Sequence, residues 1–163
     1  MIIVSDTGPL RYLIEVGAVH TLPRLYRNVL TTPQVLDELR LGYFPEIVQK
    51  WAQAPPAWLQ VEQPRTVSFL DCLDKGEASA LSLARERAAD IVLVDERIAT
   101  DVARSIGLKA MGTLAVLQDA GYEGLIDFHA VIQTLTTQTQ FRHSKALIAQ
   151  VIADYDRRVR DRT

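Results

Sequence analysis

The first six residues constrain the fold of this chain more than any other stretch. Residues 2–4 form an uninterrupted β-branched run, Ile-Ile-Val, which is typical of a strand buried on both faces of a parallel sheet. Ser5 and Asp6 follow the run, and Thr7-Gly8-Pro9 opens a helical pattern, in which Thr7 is a suitable cap and proline is tolerated. Asp6 is therefore predicted at the carboxyl end of a strand, where open α/β sheets build their sites.

A second stretch has the same form. Residues 91–94 are Ile-Val-Leu-Val, Asp95 follows, and a helical pattern then runs from Glu96 to Ile106. Shorter strand patterns alternate with helical ones along the rest of the chain. This order predicts βαβ units and an α/β three-layer sandwich with a central parallel sheet flanked by helices. No linker is visible, so residues 1–163 are predicted to form a single domain, with 126–163 as a C-terminal helical extension.

Helical phase sorts the acids of the predicted helix Pro33–Arg40. At about 100° per residue, the apolar stripe of this helix contains Val35, Leu36 and Leu39. Glu38 flanks that stripe, whereas Asp37 points nearly away from it. Glu38 is therefore predicted to face the interior.

The predicted helix Glu77–Ala88 places Glu77 on its buried face, close to Leu81 and Ala84. An acid at a helix start gains from the helix dipole, which is one explanation for it. Asp101 differs, since it lies between Arg97 and Arg104 at helical spacing, and a surface ion pair is the simpler interpretation. Asp101 is kept only as a supporting candidate.

Two strand ends and two helix positions would bring Asp6, Glu38, Glu77 and Asp95 into one cleft. Each acid alone has an ordinary explanation as a helix cap, a rim residue or a dipole-favoured helix start. Four together would repel one another and raise each other's pKa unless a cation were present. Mg²⁺ and Mn²⁺ prefer oxygen ligands, so a divalent metal site is predicted.

Composition excludes few functions. The formal net charge of −2 gives no whole-molecule attraction to nucleic acid, so such binding would need a local basic patch. Arg11, Lys75 and Arg97 lie near the proposed site in sequence and are candidate phosphate contacts, although solvated surface charge is the simpler interpretation. Cys72 is the only cysteine, so an internal disulfide is impossible and a reducing cytoplasm is expected. No apolar run approaches the ~20 residues of a membrane span.

Several local predictions complete this picture. Thr66 to Cys72 is predicted to be helical, with Cys72 as a small buried apolar residue. Thr113 is predicted to cap a helix, and Thr134 to Gln140 is predicted to be a loop. Trp51 and Trp58 either pack together or lie at a partner surface.

Four segments, in this order and spacing, resemble the PIN-domain family of metal-dependent nucleases. The matching segments are Ile3-Val4-Ser5-Asp6-Thr7, Pro33-Gln34-Val35-Leu36-Asp37-Glu38-Leu39, Gly76-Glu77-Ala78-Ser79-Ala80-Leu81-Ser82-Leu83-Ala84 and Leu93-Val94-Asp95-Glu96-Arg97-Ile98-Ala99. Gly107 to Leu114 also resembles a subgroup in which a strand ends in Gly-Thr before a helix. Many members carry Asp where this chain has Glu77, and Gly8 replaces a hydroxyl residue that is common after the first acid.

The resemblance implies both a fold and a function. It implies a parallel sheet flanked by helices, with Asp6, Glu38, Glu77 and Asp95 as the acidic site that binds Mg²⁺ or Mn²⁺. Thr7 is expected to hold Asp6 or a substrate phosphate. Similarity to the toxin ribonucleases of toxin–antitoxin pairs implies cleavage of RNA to a 5′-phosphate and a 3′-hydroxyl. An antitoxin protein that blocks the cleft and a homodimer are implied in the same way.

Three other interpretations compete with this resemblance. An aspartyl phosphotransferase needs a second Asp two residues after the first, where this chain has Gly8. A receiver domain needs adjacent acids after the first strand, and they are absent. An inactive PIN-like fold that works through protein contacts is the alternative from a different class. Titration with Mn²⁺ discriminates between them, because the nuclease must bind the metal and an inactive scaffold need not.

Overall fold

A sheet of five parallel strands forms the centre of the molecule in the computed structural model, which describes residues 1–163. In chain order the strands are β1 Ile2–Ser5, β2 Asn28–Thr31, β3 Leu59–Val61, β4 Ile91–Leu93 and β5 Ala110–Met111. Their spatial order is β3-β2-β1-β4-β5, and every neighbouring pair is parallel.

Nine α-helices flank the sheet. They are α1 Thr7–Glu15, α2 Leu22–Leu25, α3 Pro33–Leu39, α4 Glu46–Gln53, α5 Lys75–Glu86, α6 Arg97–Ser105, α7 Thr113–Tyr122, α8 Phe128–Gln138 and α9 Lys145–Arg162. A short 3₁₀ turn, Val19–Thr21, precedes α2. The predicted α/β three-layer class with a parallel central sheet is confirmed. None of the helices combines the length and apolar character needed to cross a membrane.

The two predicted strand ends are neighbours in space. In the register, Val4 of β1 pairs with Val92 of β4, and all of Ile3, Val4, Val92 and Leu93 are fully buried. Because parallel strands end at the same edge of a sheet, Asp6 and Asp95 emerge side by side. The backbone N–H of Asp6 donates a hydrogen bond of 2.9 Å to the carbonyl of Leu93.

The predicted helix from Thr66 to Cys72 is wrong. This segment consists of turns and irregular backbone, and Phe69 adopts a left-handed conformation with φ 69°. Its polar backbone is bound to α5, since the N–H of Ser68 donates to Ser82 Oγ at 2.9 Å. Cys72 is consequently exposed and not buried as predicted.

The predicted loop from Thr134 to Gln140 is mostly helix. Its polar composition suggested a loop, but threonine hydroxyls in this stretch donate to carbonyls four residues earlier and so remain compatible with α8. Trp51 and Trp58 contact each other, with their ring centres 6.2 Å apart, as one of the two interpretations proposed.

Candidate active site

Asp6 has an unusual environment for a carboxylate. It precedes α1, yet its side chain makes no capping hydrogen bond, so a role as a simple helix cap is excluded. The side chain is almost completely buried, and Oδ1 has no hydrogen-bond partner. Burial raises the pKa of Asp6 well above its ordinary value, and the negative charges of Glu77, Asp74 and Glu38 raise it further. A backbone hydrogen bond at Thr7 lowers this pKa but does not cancel the rise.

Asp95 is bound to the start of α7. Its carboxylate accepts hydrogen bonds from the backbone N–H of Thr113 at 2.8 Å and from Thr113 Oγ1 at 2.6 Å. Gly112 permits this approach, because a Cβ there would lie 2.8 Å from Asp95 Oδ1. Burial raises the pKa of Asp95, while the two bonds from Thr113 oppose that shift. The prediction that Thr113 caps α7 is wrong, since Gly112 occupies the N-cap and the Thr113 hydroxyl binds Asp95.

Glu38 faces the cleft that Asp6 and Asp95 also line, as its helical phase predicted, whereas Asp37 is exposed. The Glu38 carboxylate accepts a hydrogen bond from Thr7 Oγ1 and another, of 2.9 Å, from the backbone N–H of Gly76. A Cβ on Gly76 would overlap this carboxylate, so only glycine fits there without displacing Glu38. Burial raises the pKa of Glu38, and these two hydrogen bonds lower it.

Glu77 has two roles in the structure. It forms a capping box with Asp74, in which the N–H of Asp74 donates to Glu77 Oε1 at 3.2 Å and the N–H of Glu77 donates to Asp74 Oδ1 at 2.8 Å. The ordinary explanation of Glu77 as a helix start is therefore correct, and Glu77 also lines the cleft. Burial, with the nearby charge of Asp74, raises the pKa of Glu77 to about 7.

The structure brings all four predicted acids, Asp6, Glu38, Glu77 and Asp95, together in one open cleft of about 460 Å³, which we name the acid cleft. Two more acids that sequence analysis missed, Asp74 and Glu96, line it as well. The Asp-x-x-Glu spacing of Asp74 and Glu77 at a helix start was the available signal for the first. No three acidic, histidine or cysteine side chains are close enough to hold one metal ion together. An oxygen-only donor set with an unpartnered buried carboxylate oxygen on Asp6 nevertheless fits a hard divalent cation.

The predicted supporting residues lie in different places. Thr7 lines the cleft, but its hydroxyl binds Glu38 and not Asp6. Asp101 is exposed on α6, outside the residues that line the cleft, and it makes no ion pair with either neighbouring arginine.

The three predicted phosphate contacts also differ from one another. Arg11 lines the cleft and is not the solvated residue that sequence analysis favoured, because its side chain is only 16% exposed and binds Glu15 at 2.9 Å. Lys75 is exposed and lies outside the cleft. Arg97 is exposed and lines a neighbouring groove.

The comparison with known families agrees with this geometry. A family model described as a PIN domain matches residues 2–157 of the chain. The chain belongs to the PIN-domain family. PIN domains are generally nucleases and typically bind divalent metals, so the acid cleft lies on a nuclease fold. A search of curated proteins gave no match.

The stability of this PIN domain should depend on pH in a specific direction. A carboxyl whose folded pKa is raised contributes stability below its unfolded pKa and loses it as the pH rises through the folded value. For Glu77 this window runs from its ordinary value of 4.5 to about 7, and Asp6, Glu38 and Asp95 shift in the same direction. Scanning calorimetry in EDTA should therefore show a Tm that falls across this window.

Matched variants identify the groups responsible for that fall. Glu77→Gln should make the fall in Tm shallower, because it removes one of the four acids whose pKa values are raised, whereas Asp37→Asn, which changes an exposed acid on α3, should leave the fall unchanged. A wild-type Tm that rises across the window would contradict the assignment of raised pKa values to the cleft.

Proposed function

We propose that this PIN domain is a Mg²⁺- or Mn²⁺-dependent endoribonuclease that hydrolyses phosphodiester bonds of RNA. The observation that carries the proposal is the buried, unpartnered Oδ1 of Asp6 in a cleft that five other carboxylates line. Buried carboxylates without compensation are costly, and a divalent cation provides that compensation. Asp6 and Asp95 would hold the metal directly, and Glu38 and Glu77 would bind it through water.

The bound cation and Glu77 have separate chemical tasks in this proposal. A bound divalent cation supplies positive charge that makes water a stronger acid and stabilises the oxyanions of a phosphodiester. Glu77 orients the attacking water, and a pKa of about 7 lets its carboxylate accept a proton at neutral pH. Water attacks phosphorus and gives its proton to the Glu77 carboxylate, the bond to the 3′ oxygen breaks, and that oxygen takes a proton from solvent, so the products are a 5′-phosphate and a 3′-hydroxyl.

We further propose that the protein is the cytoplasmic toxin of a type II toxin–antitoxin pair and a homodimer. The resemblance to toxin ribonucleases supports this assignment. Leu41 and Tyr43, which line the cleft, and the nearby Ile47 are 43%, 75% and 58% exposed, so the cleft has an apolar rim suited to a protein partner. Purification from the native cell should therefore recover a second protein, and sequencing of RNA ends after its removal should show new cleavage sites.

The ribonuclease proposal is tested by metal dependence and by the chemistry of the ends. Purified protein should cleave single-stranded RNA with Mg²⁺ or Mn²⁺, lose that activity in EDTA and leave 5′-phosphates. Glu38→Gln should slow cleavage, whereas Asp37→Asn, its exposed neighbour, should not. Equal cleavage by wild type and Glu38→Gln, or cyclic phosphate ends that persist in EDTA, would place the activity outside this cleft. A protein that binds the metal but cleaves no RNA, or that neither binds the metal nor cleaves RNA, would favour the inactive interaction module.

The Thr113 hydroxyl provides a more local test. Thr113→Val removes one of the two hydrogen bonds that favour the charged form of Asp95, so the pKa of Asp95 should rise further. Partners of metal ligands typically contribute about 10- to 100-fold to activity, and we expect a loss of about 10-fold at neutral pH. A pH profile of RNA cleavage should show the loss shrinking at higher pH, and Thr113→Ser should restore the wild-type rate. An identical profile for all three proteins would refute this role.

A further inference from the structure

A groove of about 860 Å³ continues from the acid cleft. It shares four residues with the cleft, namely Arg11, Tyr12, Asp95 and Glu96. Beyond them its walls come from α6, α7, α9 and the segment that leads into α9. Arg97, Gln118, Phe141 and Arg142 are among the lining residues. We name this feature the Phe141 groove.

We propose that the Phe141 groove binds a single strand of nucleic acid, RNA under the function proposed above, on one side of the phosphate in the acid cleft. Arg97 and Arg142 would contact the backbone phosphates, and the aromatic pair of Tyr12 and Phe141 would contact a base. The inference rests on the proposed function, because it names the path of the substrate to the same acids.

Beyond the four residues that it shares with the acid cleft, the groove has two charged lining residues, Arg97 and Arg142, and both are cationic. The acid cleft itself repels phosphates, so a substrate needs cations close by. Arg97 and Arg142 are exposed, and neither guanidinium forms a salt bridge within the chain. Arg11 differs, because it is bound to Glu15 and also donates to Gln140 at 3.1 Å. Two unpaired guanidinium groups beside an acid cleft are suited to bind phosphates that flank the reacting one.

The aromatic residues of the groove are held in place. The rings of Tyr12 and Phe141 meet edge to face with their centres 5.1 Å apart, and both side chains are partly buried. The N–H of Phe141 donates to Thr139 Oγ1 at 3.1 Å, which fixes the backbone after α8. Binding of single strands combines cationic contacts with aromatic rings on which bases stack, whatever the base. The Phe141 groove offers both features.

The test measures binding separately from cleavage. A fluorescent RNA of about 12 nucleotides, within the range of single-strand binding sites, is titrated with the full-length protein in EDTA, which prevents metal-dependent cleavage. Arg97→Ala and Arg142→Ala should each weaken binding about 5-fold and reduce the salt dependence of log Kd by about 0.7. Phe141→Leu, which keeps an apolar side chain, should weaken binding about 10-fold with little change in salt dependence.

Arg104→Ala is the matched control. Arg104 is exposed on the same helix as Arg97 and lies outside the groove, so this variant should bind RNA as wild type does. In cleavage assays with Mn²⁺, Arg142→Ala should raise KM and leave kcat nearly unchanged, because it contacts substrate away from the reacting atoms. Thermal unfolding of each variant verifies that it is folded.

The outcomes separate this inference from the proposed function. If wild type cleaves RNA but the three groove variants bind as tightly as Arg104→Ala, the groove inference is wrong and the nuclease stands. If the variants lose binding but wild type cleaves nothing with any divalent metal, the groove stands and the nuclease is wrong. Weaker binding of DNA of the same sequence would support RNA as the ligand, and equal binding would contradict that choice. No binding of either strand would overturn the inference.

Discussion

Replacing Asp6 or Asp95 by asparagine should reduce RNA cleavage by more than about 100-fold, since even the partners of metal ligands contribute 10- to 100-fold. Both residues follow central strands of the sheet, and both carboxylates line the acid cleft. Asparagine keeps the shape of the side chain but removes its negative charge, so it weakens the proposed cation site without creating a cavity. Single-turnover cleavage of a labelled RNA with Mn²⁺ measures the loss.

The two variants should differ in stability, so a loss of cleavage in both cannot be attributed to unfolding. Burial raises the pKa of Asp6, so its charge destabilises the folded protein at neutral pH. Asp6→Asn should therefore keep or raise the Tm in EDTA at pH 8. Burial raises the pKa of Asp95 as well, but an asparagine there cannot accept from both donors of Thr113, so we expect Asp95→Asn to be about 1 kcal/mol less stable than Asp6→Asn. Asp37→Asn is the control for both, and a wild-type cleavage rate in Asp6→Asn would refute the site.

The second large effect is expected from Gly76→Ala. The added methyl group would overlap the carboxylate of Glu38, which the N–H of Gly76 now holds at 2.9 Å. The atoms in the way are the end of a flexible side chain, so Glu38 should rotate out of position and the fold should remain intact. We expect cleavage to fall by about 10- to 100-fold, as when a carboxylate that supports a metal is displaced.

Stability should not follow activity in this variant. Gly76 lies in the first turn of α5, and alanine is favoured over glycine within helices by up to about 1 kcal/mol. The Tm of Gly76→Ala should thus be equal to or higher than that of wild type. Gly42→Ala is the matched control, because a Cβ there meets nothing within 4 Å. Full activity in Gly76→Ala would show that the position of Glu38 is irrelevant to the chemistry.

Sequence patterns were sufficient for the parts of the site that local rules determine. Apolar runs that stop shortly before Asp6 and Asp95 predict both residues at strand ends, and helical phase alone separates Glu38 from Asp37. The parallel order of the sheet then explains why residues far apart in the chain share one cleft. That these acids bind a divalent metal ion stays a prediction.

Other features depend on contacts that no local pattern encodes. Local sequence predicts that the hydroxyl of Thr113 caps a helix, but in the structure it donates to Asp95, 18 residues earlier in the chain. The fit between Gly76 and Glu38 joins residues 38 positions apart. The backbone of Ser68 binds Ser82 of α5, no helix forms in this segment, and Cys72 is exposed. The composition of residues 66–72 does not reveal this contact with α5.

The central claim is that the acid cleft binds a divalent cation, and calorimetric titration with Mn²⁺ tests it most directly. We expect wild type and Asp37→Asn to bind Mn²⁺ with the same affinity and stoichiometry, and Asp6→Asn and Asp95→Asn to bind it at least about 10-fold more weakly. Wild type that binds no Mn²⁺, or that binds it no more tightly than Asp6→Asn, would contradict the account.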